Sequence, residues 1–285
     1  MDRDGRLLCP YLNGSQQWCF PVDLDAVSPW LVRATLAAED ERFYLHPGVD
    51  PLAVVRAALQ NLWHGGVVSG GSTLTMQTVK LAGGESRNLT AKLNQAWTAL
   101  RLDARVSKDR ILTSYLNRAP YGRNLVGCEA AARRYFGKPA RELTLSEAAL
   151  LAGLPKAPSR LEPLGHPERA RGRRRYVLGR MEAAGFIGAT QAEAADARPL
   201  GVAWHEYPMH APHVAVAKAE DAAHGKRVQT TLDAEIQVRC HEALDAALRA
   251  YADVTNGAVM VADPREHTVL ARVGSADFFN TPGGG

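Results

Sequence analysis

No run of apolar residues in this 285-residue chain approaches the length, about eighteen, that a membrane-spanning helix needs. The opening Met1-Asp2-Arg3-Asp4-Gly5 lacks the basic and apolar regions of a signal peptide. Together these predict, for the chain as written, a soluble or membrane-surface protein. Cysteine is scarce: Cys9, Cys19, Cys128 and Cys240, with no CxxC pair. That argues against a zinc site and against a disulfide framework. Cys9 and Cys19 remain as a pair that an oxidising compartment could close. Excess charge is also small, +4. Basic residues crowd in one place, Arg169, Arg171, Arg173, Arg174 and Arg175. They read either as a solvated helix face or as contact with anionic lipid headgroups. No nucleic-acid motif accompanies them, so nucleic acid is not an expected partner.

What is present is an ordinary globular composition, 46% hydrophobic and 22% charged, long enough for one large domain or two smaller ones. Helix signals dominate the first two thirds. Ser28-Pro29 reads as an N-cap with proline in the first turn, opening a helix that runs to about Phe43 and stops before His46-Pro47-Gly48. Asp50-Pro51 opens another, to about Trp63. Residues 64–72 read as a Gly/Ser-rich loop and 73–82 as a helix. An amphipathic helix is expected over Thr90 to Arg105, with Leu93, Trp97, Leu100 and Ala104 on one face. Thr144-Leu145-Ser146-Glu147 has the form of a capping box. Past residue 200 the character changes. Residues 201–213 read as a linker, Arg227–Thr231 as a strand, Asp233–Tyr251 as a helix, and 257–261 with 268–273 as a hairpin around Asp263-Pro264-Arg265.

Two strings stand out chemically. Glu39-Asp40-Glu41-Arg42-Phe43-Tyr44-Leu45-His46-Pro47-Gly48 brings acids together with Phe43 and His46 at one-turn spacings, then stops. Glu39, near the C-terminal end of an apolar helix, is a candidate base whose pKa burial and the helix dipole would both raise. Taken alone, Glu-Asp-Glu would read as a solvated acidic turn. The second string, Gly70-Gly71-Ser72-Thr73-Leu74-Thr75-Met76-Gln77, offers hydroxyls and backbone N–H groups at a helix start, an expected anion site. Gln77, Lys80, Arg87 and Lys92 follow it and suit a pyrophosphate.

These motifs resemble the first two of the peptidoglycan glycosyltransferases, glycosyltransferase family 51. Asn88 to Gln95 stands at the family's third motif. Tyr115-Leu116-Asn117, Tyr121-Gly122 and Tyr135-Phe136-Gly137-Lys138 match the fourth, and Leu145 to Pro155 the fifth, both read here as packing and turns. Asn117-Arg118-Ala119-Pro120-Tyr121-Gly122 and Lys92-Leu93-Asn94-Gln95 are closer to class A penicillin-binding proteins of the 1C type. The resemblance implies a mainly α fold: a lysozyme-like transferase domain over 23–190, after an N-terminal segment 1–22. A linker over 191–225 and the start of a penicillin-binding transpeptidase domain over 226–285 would follow. The Ser-x-x-Lys nucleophile and Lys-Thr-Gly strand of that last domain do not occur, so the chain reads as a truncated piece without transpeptidase activity.

The implied reaction polymerises lipid II, a lipid-linked disaccharide-pentapeptide, into β-1,4 glycan with inversion, at the periplasmic face of the bacterial inner membrane. The implied partners are lipid II, the growing lipid-linked glycan strand, the membrane surface and other cell-wall synthesis proteins. Glu39 would be the catalytic base. Asp40, Phe43 and His46 would order the motif around it. Ser72, Thr73, Gln77, Lys80, Arg87 and Lys92 would hold the donor. The family's second carboxylate, implied to hold the pyrophosphate through a divalent cation (Mg or Mn), is here Gln95, which hydrogen-bonds but brings no charge. A lysozyme-like hydrolase using Glu39 as an acid, and a non-catalytic lipid II-binding module, are the alternatives.

Overall fold

The computed structural model describes residues 1–63, 71–83, 89–218, 228–251 and 253–278. The chain forms two compact units, Cys19–His205 and a second that joins Met1–Trp18 to Glu206–Gly285. The sequence division treats residues 1–22 as a segment of their own. In the structure the first eighteen are grouped with the C-terminal part, because they hydrogen-bond to it. Met1 donates its amino group to Val228 O, Thr230 N donates to Met1 O and Arg3 N to Leu232 O. Residues 228–231, expected as part of a strand, are irregular chain serving this contact.

The larger unit is mainly α. Its helices are α1 Pro29–Glu39, α2 Pro51–Trp63, α3 Leu74–Gly83, α4 Leu89–Asp103, α5 Lys108–Arg118, α6 Cys128–Phe136, α7 Leu145–Gly153, α8 Pro167–Ala183 and α9 Ala189–Ala197. Their starts follow the expected local chemistry. Ser28 Oγ accepts from Trp30 N and donates to Leu143 O, with proline in the first turn of α1. Thr144 and Glu147 close a capping box on α7. Helix α1 ends at Glu39, short of Phe43, because Asp40 adopts φ −162° and leaves the helix. Helix α9 falls where a linker was expected; Ala192 and Ala195 bury its inner face, and Ser146 donates to Ala195 O.

Helix α7 is apolar on nearly every side and packs between α1 and α8, with Ala148, Leu150 and Leu151 almost wholly buried. A second layer sets α3 against α4 and α5. Gly48 lets the chain turn sharply between α1 and α2. Its φ is +82°, and a Cβ there would lie 2.5 Å from Ala99 O on α4. The amphipathic reading of α4 comes out differently. Its buried residue is Ala99, while Leu93 and Trp97, each 63% exposed, and Leu100 lie at the surface. Periodicity finds a face but not what covers it.

The smaller unit holds α10 Pro212–Ala217, α11 Ala234–Ala250 and the antiparallel pair β1 Val259–Asp263 and β2 Thr268–Val273. Asp233 caps α11 through Glu235 N and Ile236 N. Helix α11 packs on β2, and Gln237 fastens the two. Its amide donates to His210 O and Arg272 O while its carbonyl accepts from Arg272 N. All four cysteines are free thiols.

Candidate active site

The site lies in the larger unit, where the end of α1 meets the start of α3, the end of α7 and the body of α8. Glu39 is the last residue of α1, and its side chain is only 10% exposed. One carboxylate oxygen accepts from Gln77 Nε2 on α3 at 2.8 Å. The other has no hydrogen bond, and an Arg173 guanidinium nitrogen of α8 stands 3.7 Å from it. Burial raises the Glu39 pKa above the ordinary carboxylate range. The Gln77 bond and the charges of Arg173 and Lys156 oppose the rise, and Asp40 adds to it. A carboxylate so placed can accept a proton and has an oxygen free to do so.

Asp40 turns the other way and builds the wall of the site. It is buried, and accepts from His46 Nε2 at 3.0 Å and from Leu74 N, the first amide of α3, at 2.9 Å. Its pKa is raised by burial, against these two bonds. Phe43 is fully buried beneath, edge-on to His46, with the Lys108 ammonium 4.6 Å from its ring centre. Lys108 also donates to His46 O and pairs with Asp103. The acidic string is therefore an interlocked corner with Glu41, Tyr44, Leu45 and Pro47 exposed at the rim. Glu41 pairs with Arg180 at 3.0 Å.

At the start of α3, the expected anion site, two N–H groups have partners within the protein. Leu74 N is taken by Asp40 and Met76 N by Thr73 Oγ1, whose hydroxyl is in turn given to Gly48 O. Thr73 is a buried helix cap and Gln77 donates to Glu39. A buried helix start must satisfy its amides, and Asp40 and Thr73 do so here. Ser72 is half-buried at the approach to α3, and Lys80, half-buried, lies in the last turn of α3. Lys92 is exposed on α4 with half-buried Gln95 one turn on. Gly70 and Arg87 lie outside the described residues.

Two cations near Glu39 escape the reading of the motifs, Arg173 and Lys156. Lys156 follows directly on the fifth motif, whose residues read as packing and turns. Arg173 lies in the arginine cluster, whose members differ in exposure and partners. Arg174 is buried, donating to Asp196 O, Arg198 O and Ser146 Oγ. Arg175 pairs with Asp196, and Arg171 with Glu168. Tyr115 of α5 also approaches: its buried hydroxyl has no partner, and burial and the Glu39 charge raise its pKa well above the usual phenol value. No sequence spacing links these residues to Glu39; only the stacking of α5, α7 and α8 does.

Gln95 stands where a second carboxylate would supply charge. Among the described residues no group of three or more His, Cys, Asp or Glu is placed to hold a metal ion.

The chain is similar to known proteins. Penicillin-binding protein 1C of Escherichia coli K12 is 39% identical over 279 residues, covering 97% of this chain and 36% of that protein. Penicillin-binding protein 1A of Aquifex aeolicus is 39% identical over 263 residues, covering 89% of this chain and 36% of its own length. The chain thus spans about a third of the length of these relatives. The crystal structure of penicillin-binding protein 1A from Haemophilus influenzae matches with a TM-score of 0.41 at 25% identity, over 86% of this chain and 30% of that one. The family model described as Transglycosylase matches residues 5–182, well over half of the sequence, and the chain belongs to that family.

Proposed function

We propose that the chain is the glycosyltransferase part of a class A penicillin-binding protein of the 1C type, a piece of a longer protein whose transpeptidase site lies outside it. It polymerises lipid II. The acceptor sugar's 4-hydroxyl attacks the anomeric carbon of the donor. The new C–O bond forms as the bond to the pyrophosphate breaks, with inversion. Glu39 takes the hydroxyl proton, and the pyrophosphate leaves with the electron pair. The carrying observation is the buried Glu39, with one oxygen fixed by Gln77 and the other unbonded. Asp40, Phe43 and His46 hold the corner that presents it. Lys80, Arg87, Lys92 and Lys156 are the cations for the leaving group, with Ser72 and Gln95 as hydrogen-bonding groups.

A lipid-linked substrate also suits the surface of this unit. Leu52, Val54, Val55 and Trp63 of α2, Leu45 before it, and Leu93 and Trp97 of α4 are exposed apolar side chains. Exposed apolar groups in this number mark an interaction surface, and they support a membrane surface as partner better than the arginine cluster does. Among the described residues no helix is long and apolar enough to cross a membrane.

Polymerisation of lipid II by the wild type and by Glu39→Gln tests the proposal. Wild type should build glycan, and the variant should lose roughly a hundredfold or more in rate, the scale of general-base loss. Glycan release from finished peptidoglycan, without polymerisation, would favour the hydrolase; tight lipid II binding with no turnover would favour the binding module.

A further inference from the structure

The arginine nearest Glu39 is held in an unusual way. Arg173 leaves α8 and crosses the last residue of α7, Gly153. A Cβ on Gly153 would lie 2.7 Å from Arg173 Cγ, inside the distance any side-chain carbon tolerates. The Arg173 Nε donates to Gly153 O at 3.2 Å, and the guanidinium lies 4.5 Å from the ring centre of Tyr176. Glycine at the end of α7, backbone carbonyl and ring together fix the guanidinium with one terminal nitrogen 3.7 Å from the unbonded oxygen of Glu39. Both side chains are largely buried, at 15% and 10% exposed. The separation is too long for a direct hydrogen bond and short enough for strong attraction where water is scarce.

We propose that Arg173 is a positioning residue for Glu39: laid across Gly153, it keeps the carboxylate ionised while leaving its unbonded oxygen free to receive the acceptor's proton. A guanidinium in bonding contact would occupy that oxygen; one held back at this distance stabilises charge without competing for the proton. The inference rests on the reading of Glu39 as the base. The other groups around Glu39 cannot substitute. Gln77 of α3 is neutral, Asp40 just past α1 is an acid turned to His46, and Tyr115 of α5 and Tyr121 are buried phenols. Lys156, in the turn after α7, is the second cation, and its charge acts less strongly on Glu39 than that of Arg173.

The test is the pH dependence of kcat/KM for lipid II polymerisation by the full chain, which reports ionisation in the free enzyme. Wild type, Arg173→Gln, Arg173→Lys and Gly153→Ala are compared. Loss of a positive charge at this range should move the rising limb of the Arg173→Gln profile up by about one unit or more, with activity recovering toward high pH. Arg173→Lys should restore part of the shift. Gly153→Ala, with the arginine still present, should shift the limb the same way by less. A uniform fall at all pH values with no displaced limb would overturn the proposal, because it would mean that Arg173 binds substrate or only supports the fold. If Glu39→Gln keeps near-normal turnover, the base assignment fails and this inference with it. If Glu39→Gln is inactive and the Arg173→Gln limb stays in place, only the role of Arg173 fails.

Discussion

Each of the two units buries a carboxylate, and the two are treated in opposite ways. Asp2, in the unit joining the chain's two ends, is fully buried. Its Oδ1 accepts from Asp4 N and Arg6 N, and its Oδ2 from Ala234 N. Glu39, in the larger unit, accepts one hydrogen bond and leaves an oxygen with none. The same contrast holds for amides. Gln237 is saturated by three backbone bonds, whereas Gln77 spends its amide on Glu39. A buried polar group that is fully bonded holds chain together; one left partly unbonded costs stability and is kept where it does something else.

The sharpest way to break this contrast is at the corner that presents Glu39. Asp40→Ala strands His46 and the first amide of α3, both buried. It should destabilise the larger unit by about 3–5 kcal/mol, the cost of removing one partner of a buried pair. Thermal unfolding of wild type and variant measures it; a change below about 1 kcal/mol would show that Asp40 belongs to the surface of the site. Next in size, Lys80→Ala should weaken binding of a phosphoglycolipid donor analogue by about 1.5–3 kcal/mol, the range for hydrogen bonds to charged groups. Unchanged affinity in a titration would place the pyrophosphate elsewhere. Asp2→Ala should cost about 1–3 kcal/mol, the penalty for unpaired buried amides. That cost should appear as earlier unfolding of the smaller unit, with the polymerisation rate unaltered.

Glu39→Gln should leave stability no lower than wild type, and the advantage should grow with pH. The folded pKa of Glu39 is raised. Its contribution to stability is therefore complete below the unfolded carboxylate value and is lost as pH rises through the folded value. Glutamine does not titrate, so the difference in unfolding free energy between variant and wild type should widen from about pH 4 toward neutrality. A flat difference would mean that Glu39 is not strained by burial. The smallest expected effect is none: with no Ser-x-x-Lys in the sequence, a fluorescent penicillin should leave the chain unlabelled. Covalent labelling would reveal a nucleophile that the sequence pattern misses.

The helix starts at Ser28-Pro29, Thr144 and Asp233 were legible because caps act within three residues. The candidate base was legible for a similar reason, its place in a short string ending at Pro47-Gly48. The end of α1 was not. Nothing local forbids a helix through Phe43; Asp40 leaves it to reach His46 and the first amide of α3, thirty-four positions on. The stripe of Leu93, Trp97 and Leu100 was legible as a stripe but not as an exposed one, since covering depends on neighbours that periodicity does not name.

By itself the sequence determined the family, the mainly α character and the identity of Glu39 as the carboxylate to watch, because each is written in contiguous motifs. Tertiary structure decided what surrounds that carboxylate. It spent the amides of α3 on Asp40 and Thr73, gave Gln77 to Glu39, and brought Arg173 across Gly153 from a helix more than 130 positions away. Those choices follow from burial. Each polar group drawn inside must find a partner among whatever the packed helices place beside it, and that company is set by the fold as a whole.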